Sequence, residues 1–201
     1  MNYRNSLFAL VWLGVCGSVQ AAGPSGYLEI GYDKATEAGP GQDADGVYAG
    51  AKIAGPAPYG FFGALNFASL KLDPGPDDYE RTSFDLGYQV KASSSLRVPV
   101  SLGVDRFQFA AVDVDATSLR LGIEASFDRK GDLSVFVGRA LSADDDAGVD
   151  YDINEFGVAG AVYFSRQLGL FARYRLARLN PDGAGADFET REAIGGLKVQ
   201  F

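Results

Sequence analysis

Read back from its carboxyl terminus, the chain alternates. Phe201, Val199, Leu197, Gly195 and Ala193 are apolar or small, while Gln200, Lys198 and Glu192 stand among the residues between. A two-residue period sets one face against an apolar phase and the other against charges, so it predicts a closing strand over 192–201. The same alternation recurs upstream in short runs separated by Gly, Pro, Asp and Ser clusters. It predicts nine further strands, at about 26–34, 46–54, 60–71, 80–91, 96–109, 117–128, 133–141, 153–164 and 169–179. The clearest is the fourth, where Thr82, Phe84, Leu86, Tyr88 and Val90 alternate with Arg81, Ser83, Asp85, Gly87 and Gln89. In the fifth the alternation breaks near Phe107 and Phe109, where a bulge is expected, and Pro99 removes one ladder donor. No run after residue 22 has a helical period.

Each apolar face is about five residues long, which suits strands of roughly 9–11 residues tilted across a bilayer. The connections alternate in length. Short ones fall at 55–59, 92–95, 129–132 and 165–167, and longer ones at 35–45, 72–79, 110–116, 142–152 and 180–189. A soluble β-sandwich or lipocalin-like barrel is the competing fold, with its apolar faces turned inward.

The aromatic terminus on an oily face, the repeated alternation and the short-then-long connections resemble the small bacterial outer-membrane barrels. That group includes OmpA-type membrane domains, OmpX and OmpW. The resemblance implies an all-β fold: a closed antiparallel up-and-down transmembrane β-barrel, ten strands by pattern although the familiar members mostly have eight. Closure follows, since an open strand edge in lipid leaves backbone groups unpaired. The resemblance also implies residence in the cell outer membrane, short turns in the periplasm, long loops outside, and a monomer. It gives Phe201 the role of assembly signal for the barrel-assembly machinery. Phe61, Tyr88, Phe127, Phe164 and Phe201 then form an outward aromatic girdle at the periplasmic ends of their strands.

Residues 1–22 read as an export signal, leaving 23–201 as the barrel. Arg4 starts it, Leu7 to Val15 is its short apolar core, and Val19-Gln20-Ala21-Ala22 offers a small-residue cleavage site. Leu13-Gly14-Val15-Cys16 loosely resembles a lipoprotein box, though Val15 is bulkier than the residue usual before that cysteine.

Composition narrows the chemistry. The 201 residues carry a net charge of -8, which argues against nucleic acid as a partner. The sole cysteine and the sole tryptophan, Cys16 and Trp12, lie within the signal, and histidine is absent altogether. Nucleophilic acyl transfer of the serine–histidine kind is therefore excluded, and no cofactor or metal loop is expected. The expectation is a protein without enzymatic activity.

Three groups of residues remain as candidates. The inward parity collects Glu29, Lys52, Arg81, Asp85, Arg97, Asp105, Arg120, Glu124, Glu155, Arg173 and Arg175 as a lumen ion-pair network, with Asp33, Lys91, Asp128, Glu192 and Lys198 on the same face. Interlocked, these charges fill the lumen; separated by water, they line a narrow porin-like channel for small solutes. The outward parity puts Lys34, Lys71, Arg106, Arg139, Arg178 and Arg191 near the loop ends. There they either contact lipopolysaccharide phosphates among the outer-membrane lipid or snorkel to water. Third, the long connections are acidic throughout, from Glu37, Asp43 and Asp45 to Asp187 and Glu189. Three functions stay open: a structural or surface barrel with at most small porin-like permeability, the narrow channel, and an adhesion barrel meeting a host through its acidic loops.

Overall fold

The computed structural model describes residues 25–36, 42–55, 59–73, 78–109, 112–127, 130–182 and 187–201. The signal read over 1–22, and Asp128, lie outside them. The described residues form ten strands: β1 (Ser25–Thr36), β2 (Asp43–Ala54), β3 (Tyr59–Asp73), β4 (Asp78–Lys91), β5 (Leu96–Phe109), β6 (Val112–Phe127), β7 (Gly131–Asp145), β8 (Tyr151–Tyr163), β9 (Leu168–Pro181) and β10 (Phe188–Gln200). Each pairs antiparallel with its neighbours in the chain, and β1 pairs with β10 to close the barrel. The strand number is ten, not eight.

Closure is made at the terminal residue. Gly26 and Phe201 exchange backbone hydrogen bonds of 3.0 Å in both directions, and Tyr27 to Thr36 then run in register with Gln200 to Arg191. Gly26 shares the outward face with Phe201, and a Cβ there would stand 2.8 Å from the Phe201 ring. The missing side chain is what lets the aromatic terminus lie over the seam.

The outer wall is apolar over its middle. Ile30, Leu65, Phe84, Leu86, Leu102, Leu121, Val137, Phe156 and Leu170 are all exposed on it. Phe61, Tyr88, Phe127, Phe164 and Phe201 are exposed at the short-turn end, where the Phe61 and Tyr88 rings meet at 5.4 Å. This is the inside-out arrangement, and a soluble barrel with apolar faces turned in is overturned for this region.

Toward the loop end the pattern inverts. The strands, at 12 to 16 residues, outrun the length a bilayer needs. On β5, Val100, Leu102 and Val104 point out with Asp105 in, and then Arg106 points out with Phe107 in. On β6, Asp113 and Asp115 point out with Val114 and Ala116 in, and lower down Leu119 points out with Arg120 in. Strand β9 does the same, with Arg175 below and Ala177 and Leu179 above on one inward face. The expected bulge near Phe107 and Phe109 is therefore corrected. Strand β5 runs unbroken, and the alternation changes polarity rather than phase. The register shift sits instead between β6 and β7, at Thr117/Ser118. The loop-end connections are also shorter than the sequence pattern suggests. Asp113 and Asp115 belong to β6, Asp144 and Asp145 to β7, Asp152 to β8 and Glu189 to β10. Alternating charges look loop-like in one dimension, but they are the outer face of a wall that has left the apolar phase.

Candidate functional site

The lumen is the place where titratable groups converge, and it is built in tiers. At the loop end an apolar plug fills the bore. Phe107, Val114, Ala116, Ala143, Ile153, Ala177 and Leu179 form one buried cluster, and Ala35, Ala44, Leu70, Leu72 and Tyr79 form another, with Phe109 packed against both. The rings interlock: Phe109 lies 5.0 Å from Tyr79 and 5.6 Å from Phe188, which meets Tyr151 at 6.3 Å. Sequence parity gives a polar lumen throughout, and this tier corrects it.

Beneath the plug lies a tier of arginines and acids. Arg81 on β4 reaches across the bore to Glu192 on β10, donating from Nε and Nη2 at 3.1 and 2.8 Å. Tyr79 and Arg175 donate to the same carboxylate at 2.9 and 3.1 Å. Arg175 continues to Glu155, and Arg120 holds Glu155 at 2.9 Å, Asp85 at 2.7 Å and Asp105 at 2.6 Å. Arg175 also stacks 5.5 Å from the Phe107 ring, which ties this tier to the plug. Room for Arg120 comes from Gly103, where a Cβ would collide with Arg120 Nη1.

A second group sits lower, drawn from β1, β2, β3, β7, β9 and β10. Arg173 donates to Glu29 at 2.8 Å and to Tyr48 at 2.6 Å, and Tyr48 donates to Asn66 at 2.7 Å. Lys198 joins Glu29 to Asp132 at 3.4 and 3.2 Å. Phe171, Ala161 and Ile194 pack against Tyr48 here. Between the groups a cavity of about 140 Å³ remains, bordered by small side chains such as Ser83, Ser101 and Ala159 and by the charged Arg81, Arg120 and Glu155 of the arginine tier. A third group crosses the bore beside it: Lys52 on β2 bonds Glu124 on β6.

Accessibility is graded along the axis. Glu192 is 0% exposed and Glu155 2%, whereas Glu124 is 26% and Asp132 27% exposed. The grade is not uniform: Glu29 in the lower group is 2% exposed, whereas Asp85 and Arg120 in the arginine tier are each 11% exposed.

Of the candidate lumen residues, Glu29, Lys52, Arg81, Asp85, Asp105, Arg120, Glu124, Glu155, Arg173 and Arg175 are brought into these three groups. Arg97 is not; no ion pair joins it among the described residues. Three participants, Tyr48, Tyr79 and Asn66, escape a search restricted to charges. Glu192 and Lys198 are inward by parity, but their centrality depends on cross-barrel distances. Asp33 is fully buried with neither carboxyl oxygen hydrogen-bonded, and Arg175 Nη2 lies 3.4 Å from Glu155 without hydrogen-bond alignment.

On the outer wall the six candidate cations are all exposed near the loop end. Arg106 pairs with Asp113 at 2.9 Å and Asp115 at 3.8 Å, and Arg139 with Asp152 at 3.1 Å. Arg178 and Arg191 share Glu189. Lys34 and Lys71 form no ion pair among the described residues.

No family model matches the sequence, and no curated protein does. Solved structures match at the level of fold. The outer membrane protease OmpT from Escherichia coli aligns with a TM-score of 0.53 at 10% identity, over 93% of this chain and 99% of that one. The COG4313 outer membrane channel from Pseudomonas putida F1 aligns at 0.50 and 7% identity, over 93% and 98%. The anion-selective porin from Comamonas acidovorans aligns at 0.42 and 14% identity over 80% of this chain, which spans only 56% of the porin. A bacterial outer-membrane barrel is the shared architecture. One of these likenesses is a protease and another a channel, so the fold does not choose an activity.

Proposed function

We propose that the chain is a non-enzymatic barrel of the cell outer membrane with a sealed lumen and a structural or surface role. The observation that carries this reading is double closure. The bore is shut once by the apolar plug and again by the Arg81–Glu192 bridge from β4 to β10, with Lys52–Glu124 crossing a third time below. The plug is apolar and the two bridges are ionic and share no residue, so a fluctuation that loosens one leaves the others in place.

The absence of histidine supports the non-enzymatic part, and so does the bonding of the acids. Glu155 and Glu192, two buried carboxylates of the arginine tier, each accept from two arginines. A carboxylate held so cannot serve as a free general base. The apolar wall, its aromatic lower rim and the charged upper rim support membrane placement with the turns in the periplasm. Phe201, seated on the β1–β10 seam, is the element proposed for recognition by the assembly machinery.

Liposome swelling with small sugars and amino acids tests the sealed lumen. Proteoliposomes are expected to swell no faster than empty vesicles. Solute-dependent swelling supports the narrow-channel reading instead, in which water from the short-turn end reaches past the arginine tier.

A further inference from the structure

The charges of the lumen do not cancel evenly along its axis. In the lower group Glu29 and Asp132 stand against Arg173 and Lys198, and beside it Lys52 matches Glu124. Lys91 and Arg97 stand opposite each other at the short-turn end of β4 and β5, where Arg97 is also in register with Glu124. The arginine tier is different. It sets Arg81, Arg120 and Arg175 against Asp85, Asp105, Glu155 and Glu192, and Asp33 lies among the same charges. Five carboxylates meet three guanidinium groups, so full ionisation leaves two negative charges in excess. All five acids are buried, where an uncompensated charge is costly.

Two places carry the excess. Arg120 Nη2 has two hydrogens to donate, yet three carboxylate oxygens crowd it: both of Asp105 at 2.6 Å and Glu155 Oε1 at 2.9 Å. Its Nη1 is turned to Asp85 at 2.7 Å. Ser118 and Ser101 donate to Asp105 and Asp85, and on the β7 side the neighbour is Gly138, which brings no charge. Arg175 is divided between Glu155 and Glu192. The second place is Asp33, neither of whose oxygens is hydrogen-bonded. Glu192 faces it from β10, Arg81 from β4, and Arg173 and Arg175 from β9. Its own strand carries Glu29, and the inward residues of β2 at that height, Ala44, Gly46 and Tyr48, bring no charge. Those three arginines are bonded to Glu192, Glu29 and Glu155 instead.

We propose that the arginine tier is a binding site for two protons, one on Asp33 and one shared by the acids that crowd Arg120. Each proton converts a carboxylate to a carboxylic acid and removes one excess charge. A metal cation is the poorer neutraliser, because Arg120 already occupies the centre of the acidic cluster. The closure of the bore is thereby linked to pH. In the unfolded chain carboxyl groups titrate near about pH 4, so above that the folded barrel holds more protons than the unfolded chain. Stability then falls as pH rises, until the tier has released its protons, which is the reverse of a salt-bridged carboxylate. Proton uptake follows from the packing of the tier and does not depend on the lumen being sealed.

Residues 23–201 contain neither histidine nor cysteine, so between about pH 5.5 and 8.5 the α-amino group is the one other group that ordinarily titrates. The mature chain, refolded in detergent micelles, is titrated with urea across that range, and proton uptake on refolding is measured in weakly buffered solution at about pH 7. Uptake of about two protons per chain is expected, with the unfolding equilibrium constant rising about 100-fold per pH unit while both are held. Asp33→Asn and Asp105→Asn are each expected to take up about one proton, with a rise of about tenfold per unit, and the double variant none. Asp152→Asn, on the outer wall, is expected to keep both. Uptake near zero in the parent chain, or a slope that survives in the double variant, would overturn the site. So would a midpoint indifferent to pH but raised by potassium or calcium, since a cation would then fill the role. Where a variant does not refold, the proton count of the parent decides. Liposome swelling keeps this result apart from the sealed-lumen reading: a barrel that leaks yet takes up two protons defeats the seal and keeps the site.

Discussion

At the scale of single residues, the arginine tier has two hubs: Arg120, which holds three carboxylates, and Glu192. Glu192 accepts from Arg81, Arg175 and Tyr79 with no solvent exposure. Removing one member of a buried ionic cluster strands the others in a low dielectric, at a cost of about 3–5 kcal/mol. Glu192→Gln is therefore expected to lower unfolding stability by that order, read from urea titration of the folded, heat-modifiable band. Asp33 is the converse case, a buried carboxyl with no hydrogen bond to lose. Asp33→Asn is expected not to lower the same midpoint; a loss as large as that of Glu192→Gln would contradict the geometry. Gly103 makes a third case, since its absent Cβ is the space occupied by Arg120. Gly103→Val is expected to destabilise by about 1–3 kcal/mol through overpacking. Arg97→Ala, outside the network, is expected to stay within about 0.5 kcal/mol of the parent.

At the scale of the elements, the strands carry two patterns end to end. Over the apolar band they alternate apolar-out and charged-in, and above it charged-out and apolar-in. The lower pattern was legible because a two-residue period survives in one dimension: Thr82 to Val90 announced β4 without any knowledge of neighbours. The inversion was not legible, because Arg106-Phe107-Gln108-Phe109 reads as a broken strand until its neighbours show the same change at the same height. Parity likewise chose the lumen charges. It could not tell that Arg81 meets Glu192 rather than a nearer acid, since that contact depends on barrel diameter and stagger. Tyr79 fell one residue short of the strand predicted at 80–91. The plug predicts its own energetics. Phe107→Ala removes a fully buried ring and is expected to cost about 3–5 kcal/mol, measured by the same urea titration. A change under about 1 kcal/mol would mean that the upper lumen is loosely filled.

At the scale of the whole molecule, the barrel is a cylinder closed from within near one end, with Glu124 and Asp132 more accessible toward the other. The exposure of its acids falls from about a quarter at Glu124 and Asp132 to nothing at Glu192. Opening the lowest crossing should therefore enlarge the wet compartment without making a pore. Glu124→Ala is expected to leave the barrel impermeable, while Glu124→Ala combined with Arg81→Ala and Phe107→Ala removes a barrier at every tier and is expected to leak. Single-channel recording of the refolded wild-type chain in planar bilayers addresses the sealed lumen most directly. The account predicts silence at every salt concentration and applied voltage. A large, stable conductance from the unmodified protein would contradict it.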